Sequence, residues 1–292
     1  MKGMHKLKNF FIRALKRILV NFWRLHKALI FKNNKFKNQH AGETCFIFAN
    51  GASLKYYDIS NLPKYPVIGC GYTLIDKRMQ NLNVKYMVST DPYLFYPILY
   101  NTYPFIRKFQ KNKIKNIFAD IIANHPEVQF FVNLTNFYSP LCRGRNINFF
   151  HHFGDKTSKS NNLAGNFSTC GGALDIMLGM AKYFGFSKAI LIGCDYLGSP
   201  PMMGHFYADY KPFLGPYLSE YCARVKTASE GIDVLVILPQ GISSPDFKFA
   251  SYEEYFGIEK KYLENYEFVD MKYIKSLRDA ADSYQAIMKQ GQ

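Results

Sequence analysis

DIMLGMAKYFGFSKAILIGCD, residues 175–195, joins two kinds of periodicity through one glycine. Its first ten residues carry apolar side chains recurring at helical spacing. Gly185 stands where a helix C-terminus favours glycine. Lys188–Cys194 follows as a short, almost continuous apolar run, the pattern of a strand covered on both faces. A helix feeding such a strand is the building unit of α/β folds.

Working outward, further β-rich runs fall at Thr44–Ala49, Pro66–Cys70, Val84–Ser89, Val128–Asn133 and Asp233–Leu238. Strands alternating with helix-like segments predict a largely parallel sheet with helices on both faces, and no internal repeat competes with that reading. The chain has 292 residues, 48% of them hydrophobic, enough for a sizeable core. Sheets of this kind take ligands beyond the carboxyl ends of their strands. The sequence there reads Asn50-Gly51-Ala52-Ser53, Gly69-Cys70-Gly71, Ser89-Thr90-Asp91 and Gly193-Cys194-Asp195.

Each strand end has a chemical and a plain structural reading. Asn50-Gly51-Ala52-Ser53 offers an amide, a hydroxyl and backbone N–H groups that can approach a phosphate, or it is a tight turn. It has neither the P-loop nor the dinucleotide-fold glycine spacing. Asp91 can accept hydrogen bonds from sugar hydroxyls, or cap a turn. Ser168-Thr169-Cys170-Gly171-Gly172 precedes the helix of the opening stretch, where the helix dipole favours an anion, or it is an ordinary helix start. Asp195-Tyr196 leads into GSPPMMGHFYADY (198–210), a lid-like segment whose His205 and Tyr207 can move or donate protons. His151, His152 and Asp155 do not make a metal site, because adjacent strand residues face opposite ways and no suitably spaced third ligand follows.

The net charge of +15 is concentrated at one end. Residues 1–38 hold eleven Lys/Arg and no Asp or Glu, leaving 26 basic against 22 acidic residues elsewhere. A folded body so nearly balanced does not suit nucleic acid. Leu7, Phe11, Leu15, Ile18, Phe22, Leu25 and Leu29 recur at helical steps among the cations, so this region reads as a basic amphipathic helix. Its longest apolar run, Ile18–Val20, is far short of a membrane span or a secretory signal. It suits a membrane surface or a docking face, with Asn33–Asn38 as linker. The six cysteines form no C-x-x-C pair and read as buried thiols of a reducing compartment.

Asn50-Gly51-Ala52-Ser53-Leu54-Lys55, with Asp58-Ile59-Ser60-Asn61-Leu62-Pro63 after it, resembles the opening of the bacterial sialyltransferases of glycosyltransferase family 42, where N-G-P-S-L-K ends the first strand. KAILIGCDY (188–196) is similar to that family's second signature. The resemblance covers about residues 44–100 and 165–240 and is shared by the MptE-like pterin pyrophosphokinase group. It implies a Rossmann-like, GT-A-like α/β domain over 39–292, with a lid-like insertion at about 198–217. It also implies a CMP-activated nonulosonic sugar donor and no metal cofactor. By position, Asn50, Gly51 and Ser53 would hold the donor phosphate or sugar, and Thr169, Gly171 and Gly172 would lie at the nucleotide. Asp195 and Tyr196 would face cytidine. Asp91 stands where the family has an asparagine near the donor, and Gly71 where it has another. Tyr207 matches one of two tyrosines that assist the leaving phosphate, while the other position is Leu197. The family's catalytic histidine has no counterpart in residues 213–233, and His205 is the substitute at hand.

Three functions stay open on the sequence. One is transfer to a bacterial surface glycan or glycolipid, by an enzyme held through residues 1–38 at the inner, cytoplasmic face of the cell membrane. Another is a non-catalytic nucleotide-sugar-binding scaffold. The last is an ATP- and Mg²⁺-dependent pyrophosphokinase. Self-association is left open.

Overall fold

The structure is a computed structural model and describes residues 25–90, 117–142, 144–151, 160–165, 167–168 and 172–278. Residues 1–24, Asp91, His152, Asp155, Thr169, Cys170 and Gly171 lie outside these.

Eight strands form one sheet: β1 (Thr44–Phe48), β2 (Pro66–Cys70), β3 (Asn83–Ser89), β4 (Gln129–Asn133), β5 (Ile147–Phe150), β6 (Lys188–Ile192), β7 (Asp233–Leu238) and β8 (Lys248–Ser251). Their spatial order is β8-β7-β6-β1-β2-β3-β4-β5, and every adjacent pair is parallel. The expected α/β architecture is therefore present. Alternation along β1 builds two core layers. Cys45 and Ile47 pack with Ile176, Met177 and Leu191 on one face, while Phe46 and Phe48 pack with Leu54, Met87 and Tyr252 on the other.

Helices lie on both faces. Helix α2 (Ala173–Phe184) and its neighbour α3 (Ser219–Ser229) cover the first layer. The helical residues 117–124, α4 (Tyr252–Phe256) and α5 (Asn265–Phe268) cover the second. Helix α2 begins two residues before the sequence pattern predicts, because Asp175 at its third position reaches back to the Gly172 N–H (3.1 Å). Gly185, at φ +90°, ends it as expected.

Three features differ from the sequence reading. Strands β5 and β8 are additional; each is four residues long and sits at a sheet edge, too short to announce itself. The crossovers after β1 and β2 use 3₁₀ turns (Ala52–Lys55, Thr73–Ile75 and Lys77–Asn81) and contain no α-helix. Residues 33–38 are no free linker. Helix α1 (Lys27–Phe31) and the 3₁₀ turn Lys32–Phe36 run along β5. Asn33 is fully buried and donates to the Phe149 and Leu163 carbonyls (2.8 and 3.0 Å). Phe36 inserts between Phe131 and Phe184 (centroids 5.1 and 5.9 Å). This strap covers an edge that would otherwise offer unpaired backbone groups.

The free thiols Cys45, Cys70, Cys142, Cys194 and Cys222 are all buried, as expected of these five. No helix among the described residues is long and apolar enough to cross a membrane.

Candidate functional site

Strand order reverses between β1 and β6: the chain moves outward from β1 to β5, then returns to lay β6 on the other side of β1. Open α/β sheets take ligands in the crevice outside the carboxyl ends of the strands at such a reversal. The two segments singled out above, 50–55 and 193–210, end there.

They are clasped together by backbone and carboxylate. Gly51 N–H donates to the Gly193 carbonyl (2.8 Å), and Ser53 N–H donates to Asp195 Oδ2 (2.7 Å). Gly51 must be glycine for lack of room. A Cβ there would meet Asp195 Oδ2 at 2.5 Å and would also strike the Gly193 carbonyl. Ser53 is fully buried, and its hydroxyl pairs with Tyr252 (3.2 Å). Ser53 and Asp195, both expected at the ligand, thus turn inward and hold the turn in shape. Burial pushes the Asp195 carboxyl up to about 6, against the opposing effect of its hydrogen bonds from Ser53 and Ala52. Its Oδ1 makes no hydrogen bond within normal geometry among the described residues.

Asn50 is the half-buried member of the turn. Its Oδ1 lies 3.4 Å from the Thr73 hydroxyl, and Thr73 is fixed in turn on the Cys70 carbonyl (2.7 Å). Its Nδ2 lies over Gly71, where a Cβ would stand 2.8 Å away. Gly71, at φ +55°, makes room for the Asn50 amide, which gives a local reason for glycine where the family resemblance expects asparagine.

The lid is tied to the backbone of Asn50. Phe206 N–H donates to the Asn50 carbonyl (3.1 Å), and His205 Nδ1 lies 3.3 Å from the same oxygen. A carbonyl only accepts, so Nδ1 carries the proton and Nε2 keeps the lone pair. Burial lowers the His205 pKa, which favours that neutral ring, although the bond to Asn50 opposes the shift. Tyr207 stacks on His205 (5.1 Å, 20°). Burial first, and neighbouring tyrosines second, raise its hydroxyl pKa well above the usual value, so it remains a donor. The lid is anchored from behind. Lys55 Nζ donates to the Ala208 carbonyl, and Asn265 Nδ2 donates to Asp209 Oδ1 (2.9 Å).

Tyr72 is a site residue that the sequence reading missed. It meets Tyr207 edge to face (5.1 Å, 80°) and puts a second phenol beside that of Tyr207. Leu197 is fully buried. Tyr196 is half-buried, with its ring against Tyr221 (6.2 Å). Gly172 spends its N–H on Asp175, which Arg224 also engages (2.9 Å), so that amide is not spare for an anion. The structure therefore brings together Asn50, Gly51, Ser53, Asp195, His205 and Tyr207. Among the described residues no group of three His, Cys, Asp or Glu side chains is placed to hold a metal ion.

No protein-family model matches the chain. No curated protein matches it in sequence. Among solved structures it is similar to the sialyltransferase CstII from Campylobacter jejuni in complex with a substrate analogue, cytidine-5'-monophosphate. That match has 15% identity and a TM-score of 0.41, and spans 76% of this chain and 90% of that one.

Proposed function

We propose that this protein is a glycosyltransferase that moves a sialic-acid-like nonulosonic sugar from a CMP-activated donor to a surface-glycan acceptor. One observation carries the reading. The two segments that resemble family 42 meet at the sheet's switch point, with His205 and Tyr207 laid over Asn50. The crevice offers an amide, an imidazole with a free lone pair and protonated phenols, the groups that a departing nucleotide and an incoming hydroxyl need.

In the proposed reaction His205 Nε2 takes the proton of the acceptor hydroxyl. The acceptor oxygen attacks the anomeric carbon as that carbon's bond to the CMP phosphate oxygen breaks. Tyr207 donates a hydrogen bond to the departing phosphate, with Tyr72 beside it. The mechanism uses no metal. The basic segment before Leu25 holds the enzyme at the inner face of a bacterial membrane, where lipid-linked acceptors are made.

A second reading is a nucleotide-sugar-binding scaffold without turnover. It is favoured by the absence of a histidine from residues 213–233, where the family resemblance expects the base. Two measurements separate these readings. Titration with CMP, CDP and UDP shows whether the site prefers a cytidine nucleotide, and CMP release from a CMP-nonulosonate shows whether it turns over. Absence of a cytidine preference removes both readings. A cytidine preference without CMP release, over a range of acceptors, leaves the scaffold.

A further inference from the structure

The lid carries an apolar projection that the proposed chemistry does not use. Met202–Met203 pairs antiparallel with Phe213–Leu214, and the hairpin is tied at its base by Gly215 N–H on the Pro201 carbonyl (3.0 Å). Phe213 and Leu214 are 59% and 60% exposed, and the neighbouring Lys211 is exposed too. As strand neighbours they face opposite sides of the ribbon, and both lie in water, which suits a ribbon that enters another surface edge-on.

The position of the N-terminal segment says which surface. Every strand of the sheet is parallel, so the segments that follow strands lie at one end of the molecule. The hairpin follows β6. His26 packs on Phe137 (5.2 Å) and lies 3.0 Å from the Tyr138 hydroxyl, and those residues follow β4. The chain therefore enters the fold at the same end, four strand spacings or roughly 19 Å from β6 across the sheet. The residues before Leu25 include seven Lys/Arg and no acid, with apolar residues at helical steps. Leu25, where they join, is 83% exposed.

We infer that the carboxyl end of the sheet faces an anionic lipid bilayer, with Phe213 and Leu214 as a second apolar contact beside the basic N-terminal segment. Cations at head groups and aromatic or aliphatic side chains at the acyl boundary are the two components of interfacial binding. A second copy of the chain is the poorer occupant, because each copy carries a formal charge of +15 and the hairpin adds its own lysine. This orientation turns the crevice toward the bilayer and makes the acceptor lipid linked. The bilayer contact deepens the membrane attachment of the proposed function, and the clause on the acceptor rests on it.

Vesicle flotation of the full chain tests the contact, using phosphatidylcholine alone and phosphatidylcholine mixed with phosphatidylglycerol. The wild type floats with the anionic vesicles only, and the paired change Phe213→Ser with Leu214→Ser lowers partitioning about tenfold. Trp23 is the chain's one tryptophan, so a Trp23→Phe, Phe213→Trp protein reports on the hairpin alone. Its emission shifts to the blue on anionic vesicles and is quenched by brominated lipid. Unchanged emission, equal flotation of the serine variant, or a wild-type dimer in sedimentation velocity that the serine variant lacks would each overturn the inference. CMP affinity of each protein, measured without lipid, reports on the lid by itself, so a failure here is separable from a failure of the nucleotide reading.

Discussion

His205 owes its proposed role to a single acceptor. The Asn50 carbonyl fixes the proton on Nδ1 and so leaves Nε2 basic. Because burial lowers the pKa of this ring, the neutral form persists below the usual histidine range. The acid limb of kcat/KM is therefore expected below about pH 6.5, the ordinary histidine value. His205→Ala should lower kcat by roughly 10²–10⁴ while leaving CMP affinity unchanged. A limb above that pH, or a variant of normal rate, would remove His205 from the mechanism. Asp195 gives a stability test with the opposite chemistry. Its folded value of about 6 exceeds the ordinary aspartate value, so the native state keeps a proton that the unfolded chain has lost. Stability from this group is complete at acid pH and falls as pH rises through about 6, by roughly 3 kcal/mol in all. Asp195→Asn should flatten the loss in urea midpoint between about pH 4.5 and pH 8, and parallel pH curves would contradict the assignment. At this scale the sequence was partly legible. Asn50, Asp195 and His205 declared themselves by standing just beyond apolar runs or in the lid. Tyr72 did not, because one tyrosine among 22 carries no local signal and its partner Tyr207 is 135 positions away.

The turn after β1 is the element on which the site rests. Gly51 has an extended backbone, φ −64° and ψ 156°, that alanine also adopts. Its constraint is contact with Asp195 and Gly193 on β6's far end. Gly51→Ala should destabilise the fold by about 2 kcal/mol through overpacking and weaken CMP binding with it. Urea unfolding beside a CMP titration checks both, and a variant as stable as wild type would show that the clasp yields. Strands β1 and β6 were legible because central parallel strands are apolar throughout. Strands β5 and β8 were hidden by their brevity. The strap of residues 27–36 was hidden for a different reason. Asn33 reads as linker, and the carbonyls that bury it belong to Phe149 and Leu163, whose proximity only the folded sheet creates.

For the whole molecule, the parallel sheet gathers the β1 turn, the lid and the chain's point of entry at one end. The uneven charge of the sequence gains a location from this: the basic segment joins the fold at the end that carries the crevice. The α/β class was readable from periodicity. The strand order was not, since it depends on which side of β1 the returning β6 takes. The central claim is that the β1/β6 crevice is a cytidine-nucleotide site, and isothermal titration calorimetry of the full chain tests it most directly. CMP should bind one to one, at least tenfold more tightly than UMP, and Asn50→Ala should weaken both nucleotides alike, by at least tenfold, while its unliganded melting curve stays that of a folded protein. Equal affinity of the wild type for the two nucleotides, or an unchanged CMP affinity in the folded Asn50→Ala protein, would contradict the account.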